Sequence, residues 1–300
     1  MTPTTRTTTT RRRSLTLVAA VSAVALGLSA CGSDDGDDAG DDAATGAAGD
    51  DLGLIEDGTL VVAMSGEFQP FSYFEGNTLT GFDYDIGVAV AEELGLEVDA
   101  QTGAFDTLIG GVDANRYDVL IASMTPTEER DEQVDFTDSY YISGAQAFVA
   151  AGTDCTDITQ LDSPTIGVAT GTTYQDWLNE NGGDWVGEIR TFSSDVTALQ
   201  DVSTGRLDAA MTDRNVGLYQ IQESGMDLVE CGEPVFTEEP AFAVQEGNTA
   251  LQEALNEALA TIKEDGTYAE ISEEYFGKDI STTGGDSTGA TDDAAQTTEG

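Results

Sequence analysis

The sequence predicts an α/β protein of two lobes, and three observations carry that prediction. Short apolar runs alternate with amphipathic stretches from residue 58 to residue 245, the mark of right-handed strand–helix–strand units and a mainly parallel sheet. The alternation stops at Gly152-Thr153-Asp154-Cys155 and starts afresh, so residues 152–232 repeat the architecture of 58–150 without repeating its sequence. One strand and two helices are left over after Pro240. Two lobes with a remainder imply that the chain crosses between them twice and that its last segment returns to the first lobe through a hinge.

The elements follow in order. After the Asp57-Gly58 turn, residues 59–64 (TLVVAM) form a buried strand. Residues 65–71 are a loop carrying Phe68 and Phe71 around Pro70, and 77–81 are a second turn. Phe82, Ile86, Val90 and Leu94 recur every four residues, an amphipathic helix closed by Gly95. A strand over 96–100, a helix over 105–112 and a strand over 117–122 come next. That strand breaks into Ser123, Met124, Thr125 and Pro126, and Thr127 opens a short acidic helical turn ending in Arg130. Residues 144–151 are a further strand. In the second lobe, 165–169, 188–192, 207–211 and 227–231 are strands, and 174–181, 195–202 and 216–223 are helices. The returning segment has a strand over 241–245 and helices over 249–264 and 267–276. The boundaries are therefore lobe 1 over 52–148, lobe 2 over 149–238, and lobe 1 again over 239–279.

The ends of the chain read differently. Arg6 and Arg11, Arg12 and Arg13 precede an apolar stretch over 15–28, too short to span a bilayer comfortably, so residues 1–30 are a targeting leader. Leu28-Ser29-Ala30-Cys31 is similar to a lipobox, with Cys31 as the lipidated mature N-terminus and the membrane's outer face as its location; an ordinary signal peptide is the alternative. Residues 31–51 are an acidic tether without a large apolar side chain, and 280–300 a disordered tail of the same character. Removing a leader with four of the eleven basic residues and no acid takes the formal charge from −46 to −50. Such a charge excludes nucleic acid and anionic lipid surfaces as partners. The chain contains no histidine, which excludes imidazole catalysis and histidine metal sites, and nothing asks for a cofactor or a metal. Cys155 and Cys231 remain after Cys31, and an even pair in an exported chain suggests one disulfide, two separate thiols being the alternative. A monomer is expected.

Arg130 stands at the C-terminal end of a strand, where open α/β sheets place ligands, and only four lysines or arginines lie between residues 110 and 210. Its fork suits a carboxylate held by two parallel hydrogen bonds, although a surface pair with Asp131 or Glu132 is equally compatible with the residues alone. Asp213, at the end of a second-lobe strand, gives an opposite charge that either meets a ligand or caps the next helix.

Several ordered motifs then agree. Gly81-Phe82-Asp83-Tyr84-Asp85-Ile86 with Val90, Ala91 and Leu94, the segment from Asp118 to Arg130, Val134-Asp135-Phe136-Thr137 with Tyr140-Tyr141, and the GVATGTT run ending at Thr173 resemble the family 3 bacterial extracellular solute-binding proteins over residues 58–277. The resemblance implies a type II periplasmic-binding-protein-like fold, with the ligand in a cleft between the lobes and an ABC permease as partner. It implies an amino acid or small zwitterion as ligand. Arg130 and Thr125 would then hold the α-carboxylate, helped by the backbone of Thr172 and Thr173 at a helix start. Asp213 and the Ser123 carbonyl would take the ammonium, and Phe68 would cover the ligand. Thr172 and Thr173 are also compatible with plain caps, and Phe68 with the core. Ser65 stands where members that bind cationic amino acids often carry an acid, and Glu67 is the acid two residues on. The same fold resembles cyclohexadienyl or arogenate dehydratases, which need a general acid in the cleft; Glu67 or Asp213 would have to serve. A free-standing amino-acid sensor is a third reading.

Overall fold

The computed structural model describes residues 52–282. The leader, Cys31, the acidic tether and residues 283–300 lie outside the described residues. The first part of lobe 1 holds β1 (Thr59–Met64), β2 (Glu67–Phe68), β3 (Ser72–Glu75), β4 (Thr78–Thr80), α1 (Phe82–Glu93) and β5 (Glu97–Thr102). A 3-10 turn (Phe105–Thr107) then runs into α2 (Leu108–Asp113), followed by β6 (Val119–Met124), the single turn α3 (Glu128–Asp131) and β7 (Val134–Ser139). Lobe 2 is built from β8 (Ser143–Ala150), β9 (Thr165–Ala169), α4 (Thr173–Asn181), β10 (Glu188–Phe192) and α5 (Asp195–Ser203). It is completed by β11 (Ala209–Asp213), α6 (Arg214–Gln222), β12 (Leu228–Glu230) and β13 (Phe236–Glu238). Then β14 (Ala241–Gln245), α7 (Thr249–Asp265) and α8 (Thr267–Phe276) close the described chain.

The first sheet has the order β5-β1-β6-β14-β7, so the last strand inserts between two earlier ones and the final segment does return to lobe 1. The second sheet runs β10-β9-β11-β8-β12, with β13 also paired to β8. Each sheet is mainly parallel in strand direction, with one strand reversed. β5, β1, β6 and β7 run one way against β14, and β10, β9, β11, β12 and β13 run one way against β8. A strand that arrives across a hinge has no crossover helix and enters from the opposite end. The apolar runs of β1, β6, β11 and β14 are buried along almost their whole length, as strands covered on both faces are.

Two boundaries move. Strand β8 pairs with β11 from Ala145 opposite Asp213 to Val149 opposite Ala209, so it belongs to the second sheet. The outward crossing thus lies at residues 140–142 and not at 148, because an apolar run does not reveal which sheet it joins. The ordered chain also runs past 279. Ile280 is buried, its N–H donates to the Ser272 hydroxyl, and its carbonyl accepts from Ile142 N–H, tying the chain end to that crossing. The region expected as loop and turn over 65–81 contains the three-stranded ribbon β2-β3-β4, whose strands are too short for periodicity to reveal.

An aromatic cluster fills lobe 1 beside the hinge. Phe71 lies 5.0 Å from Tyr141 and 5.8 Å from Phe82, and Tyr140 lies 4.8 Å from Phe242. Helix α1 starts against it, with Phe82 and Asp83 N–H donating to the Pro70 and Phe71 carbonyls. That approach requires glycine before it: Gly81 has φ 122, and a Cβ there would meet Phe71 O at 2.3 Å. Cys155 and Cys231 form a disulfide with Cα atoms 4.9 Å apart. It lies partway along β8, where Cys231 N–H donates to Ala147 O.

Candidate ligand-binding site

The single turn α3 exists because the Thr127 hydroxyl accepts Arg130 N–H and caps it. That turn aims Arg130 inward, where only 9% of it is exposed. One guanidinium nitrogen donates to Thr125 O in lobe 1 and the other to Gly171 O in lobe 2, the latter at 2.9 Å, with the Phe105 ring 5.8 Å away. The surface pair with Asp131 or Glu132 is not formed. Burial lowers the Arg130 pKa, and the nearby Glu238 carboxylate opposes that shift. A guanidinium has five N–H donors, so three remain without a hydrogen-bond partner. Arg130 touches both lobes, and Ser194 in lobe 2 likewise donates its hydroxyl to Glu67 O at 2.9 Å. The lobes are therefore closed on each other.

Between them lies a small space of about 30 Å³, lined by both lobes. Arg130, Thr125, Ser123, Thr172, Thr173, Phe68, Ser65 and Glu67 all line it, so residues far apart in sequence are brought together there. Ser123 reaches it in the left-handed backbone region (φ 53), with its hydroxyl on the Asp83 carboxylate and its N–H on the Tyr140 hydroxyl. Held strain of this kind is concentrated at functional sites. Burial pushes Asp83 up to about 7 against the hydrogen bonds from Tyr140 and Ser123. Phe68 stacks on Phe71 at 5.1 Å, so it joins the aromatic cluster and the cavity wall together. The Ser65 hydroxyl turns to Ser72 (3.2 Å), and Glu67 is exposed at the rim.

The Thr172 and Asp213 side chains both have partners within the protein. The Thr172 hydroxyl caps α4, accepting Gln175 N–H and donating to Ala169 O. Asp213 is fully buried but does not line this cavity. Its oxygens take Asn215 N–H at 2.6 Å, as the cap of α6, and the Tyr141 hydroxyl at 3.3 Å. Burial, followed by the charge of Glu238, pushes Asp213 up to about 7.

The sequence reading missed five cavity residues: Glu238, Asp195, Ser193, Phe105 and Tyr174. Glu238 ends β13, a strand read as part of the connection, and is 2% exposed. Its carboxylate accepts from the Thr125 hydroxyl of lobe 1 at 3.0 Å, from the Thr173 hydroxyl of lobe 2, and from Tyr174. Asp195 opens α5 and is 5% exposed. The Thr212 hydroxyl beside it opposes, as a donor, the upward shift that burial imposes, while Asp195 Oδ1 takes no close hydrogen bond. Burial pushes Asp195 up to about 6. Buried acids in a strand-poor connection and at a helix start give no periodic signal; only the acid content of Thr237-Glu238-Glu239-Pro240 hinted at the first.

The arrangement is one cation and two buried acids around a closed space, with no metal-holding cluster among the described residues. The model of the bacterial extracellular solute-binding proteins, family 3, matches residues 60–278. The chain belongs to that family. It is 36% identical over 231 residues to the L-cystine-binding protein TcyJ of Escherichia coli (strain K12), covering 75% of this chain and 85% of that one. An ancestral arginine-binding protein solved with arginine superposes with a TM-score of 0.69 at 36% identity, covering 73% of this chain and 98% of the other. The ancestral amino acid-binding protein AncCDT-1, a precursor of cyclohexadienyl dehydratase, gives 0.66 at 31%, covering 73% and 96%. Family 3 membership fits the two-sheet architecture and the hinge-borne return strand, and these relatives are amino-acid-binding proteins.

Proposed function

We propose that this protein captures a polar amino acid or a related zwitterion between its lobes and delivers it to the permease of an ABC importer. The observation that carries this reading is Arg130: buried, bonded to both lobes, with three N–H donors left over beside the cavity. An α-carboxylate fits those donors as a charge-assisted pair. The Thr172 and Thr173 amides at the start of α4 favour the same anion, and Thr125 adds a hydroxyl. The ammonium lies toward Glu238, with Asp213 behind it as the next acid and the Ser123 carbonyl on the lobe 1 side. A ligand that touches both lobes stabilises the closed form by its differential affinity for that form.

Acylated Cys31 anchors the mature chain to the outer face of the cell membrane, and the acidic tether gives the lobes reach to the permease. No nucleic acid or cofactor takes part, and the protein acts as a monomer. Thermal-shift screening of the twenty amino acids, cystine and prephenate tests the reading. A ligand at a hundred times its Kd raises stability by about 2.7 kcal/mol. A shift with one or a few amino acids supports capture; no shift with any of them, or turnover of prephenate or arogenate, defeats it.

A further inference from the structure

Ser194 stands where lobe 2 touches the β2-β3-β4 ribbon of lobe 1, and its hydroxyl bonds away from its own helix. Its backbone is extended and α5 begins at the next residue, so it occupies the N-cap position. A serine there ordinarily accepts the N–H of the second or third helical residue, here Val196 or Thr197. It makes no such bond. Its hydroxyl donates instead to Glu67 O of β2, 2.9 Å away. At that point β2 packs on α5, and the Tyr73 hydroxyl of β3 lies beside the Tyr219 hydroxyl of α6, so two helices of lobe 2 receive the ribbon. Ser194 does not line the cavity, although its neighbours Ser193 and Asp195 do. The contact is made by the lobes with each other, outside the space they enclose.

The position of the hydroxyl that reaches Glu67 does not cap α5, so the two bonds exclude one another. When the ribbon moves off with lobe 1, Glu67 O goes with it and the vacant cap of α5 is the partner within reach. We infer that the Ser194 hydroxyl exchanges partners as the lobes move, bonding the ribbon carbonyl in the closed form and turning back to cap α5 in the open one. This rests on the capture reading above, because it concerns the hinge motion that capture requires. Two neutral hydrogen bonds of this kind are of similar strength. The exchange therefore leaves the balance of open and closed forms almost unbiased. It slows both directions, since the first bond must break before the second can form. Ser194 is a positioning residue that sets how long a closed complex lasts, not which amino acid it holds.

Single-molecule energy transfer between dyes on the two lobes of the purified full chain tests this, in an equimolar mixture of the twenty amino acids and cystine. Ser194→Ala loses both bonds. Its closed and open dwell times should each shorten about five-fold, the worth of one neutral hydrogen bond, while their ratio stays within about two-fold of wild type. Ser194→Thr keeps a hydroxyl for either partner and should restore the wild-type times. Unchanged dwell times in Ser194→Ala overturn the inference. A closed dwell time that shortens alone overturns it as well, because the hydroxyl is then a plain bond between the lobes with no second partner. Either result leaves the capture reading standing, since the wild type still closes on the mixture. If the wild type never closes on the mixture, the capture reading fails and the exchange falls with it.

Discussion

Arg130 and Asp195 are opposite charges buried in the wall of one cavity, and the fold treats them unequally. Arg130, in lobe 1, is held by carbonyls from both lobes, capped at its own backbone by Thr127, and eased by Glu238. Asp195, in lobe 2, is buried as deeply, yet has an oxygen with no partner. Asp213, from the same lobe, is satisfied by Asn215 N–H and Tyr141 and lies off the wall. The positive end of the site is braced by both lobes, and Asp195 is held less tightly.

The comparison breaks first at Arg130. Arg130→Ala removes the carboxylate partner and leaves Glu238 without its cation, so amino-acid affinity measured by calorimetry should fall about 100-fold or more while the circular dichroism spectrum stays native. Affinity within a few-fold of wild type would mean that the prepared end is not the carboxylate site. The lobes also differ in bracing: among the described residues, only lobe 2 carries a disulfide, closing 76 residues. Reduction of Cys155–Cys231 should lower stability by roughly 2–4 kcal/mol in denaturant titration. No change would mean that lobe 2 packs well enough unaided.

Burial raises Asp83, Asp195 and Asp213 above their ordinary range, so the folded, unliganded protein holds protons that the unfolded chain releases. Stability from this source is complete below the unfolded carboxylate range of about 4 and is lost as pH rises through about 6 to 7. The Tm of the ligand-free protein should therefore climb as pH falls from 8 to 5. Asp213→Asn, which keeps the cap but removes the buried charge, should raise Tm at pH 8 and leave it nearly unchanged at pH 5. A variant less stable at pH 8 would show that ionised Asp213 is well compensated. The smallest effect belongs to Thr127→Ala. Loss of the cap on α3 should reduce stability by about 1 kcal/mol and loosen Arg130, read as a modest drop in affinity.

Much of this architecture is legible in the sequence, because its signals are periodic. The four-residue recurrence of Phe82, Ile86, Val90 and Leu94 gives α1, and the apolar run of residues 241–245 gives the return strand. Arg130 stands out because cations are scarce in an acidic chain. Other features escape for physical reasons. The ribbon β2-β3-β4 has strands of two to four residues, too short for alternation to register. Strand β8 reads as an apolar run with either sheet as its home, and only its pairing with β11 assigns it. Glu238 and Asp195 look like ordinary surface acids in an acidic chain; their burial comes from the closure of two lobes, which no local pattern encodes.

A crystal structure of the complex with an amino acid found by the screen tests the central claim most directly. The account predicts the α-carboxylate within hydrogen-bonding distance of the Arg130 guanidinium, the ammonium turned toward Glu238, and both lobes closed on the ligand. A ligand bound elsewhere, or one seated in the cleft without a carboxylate on Arg130, would contradict it.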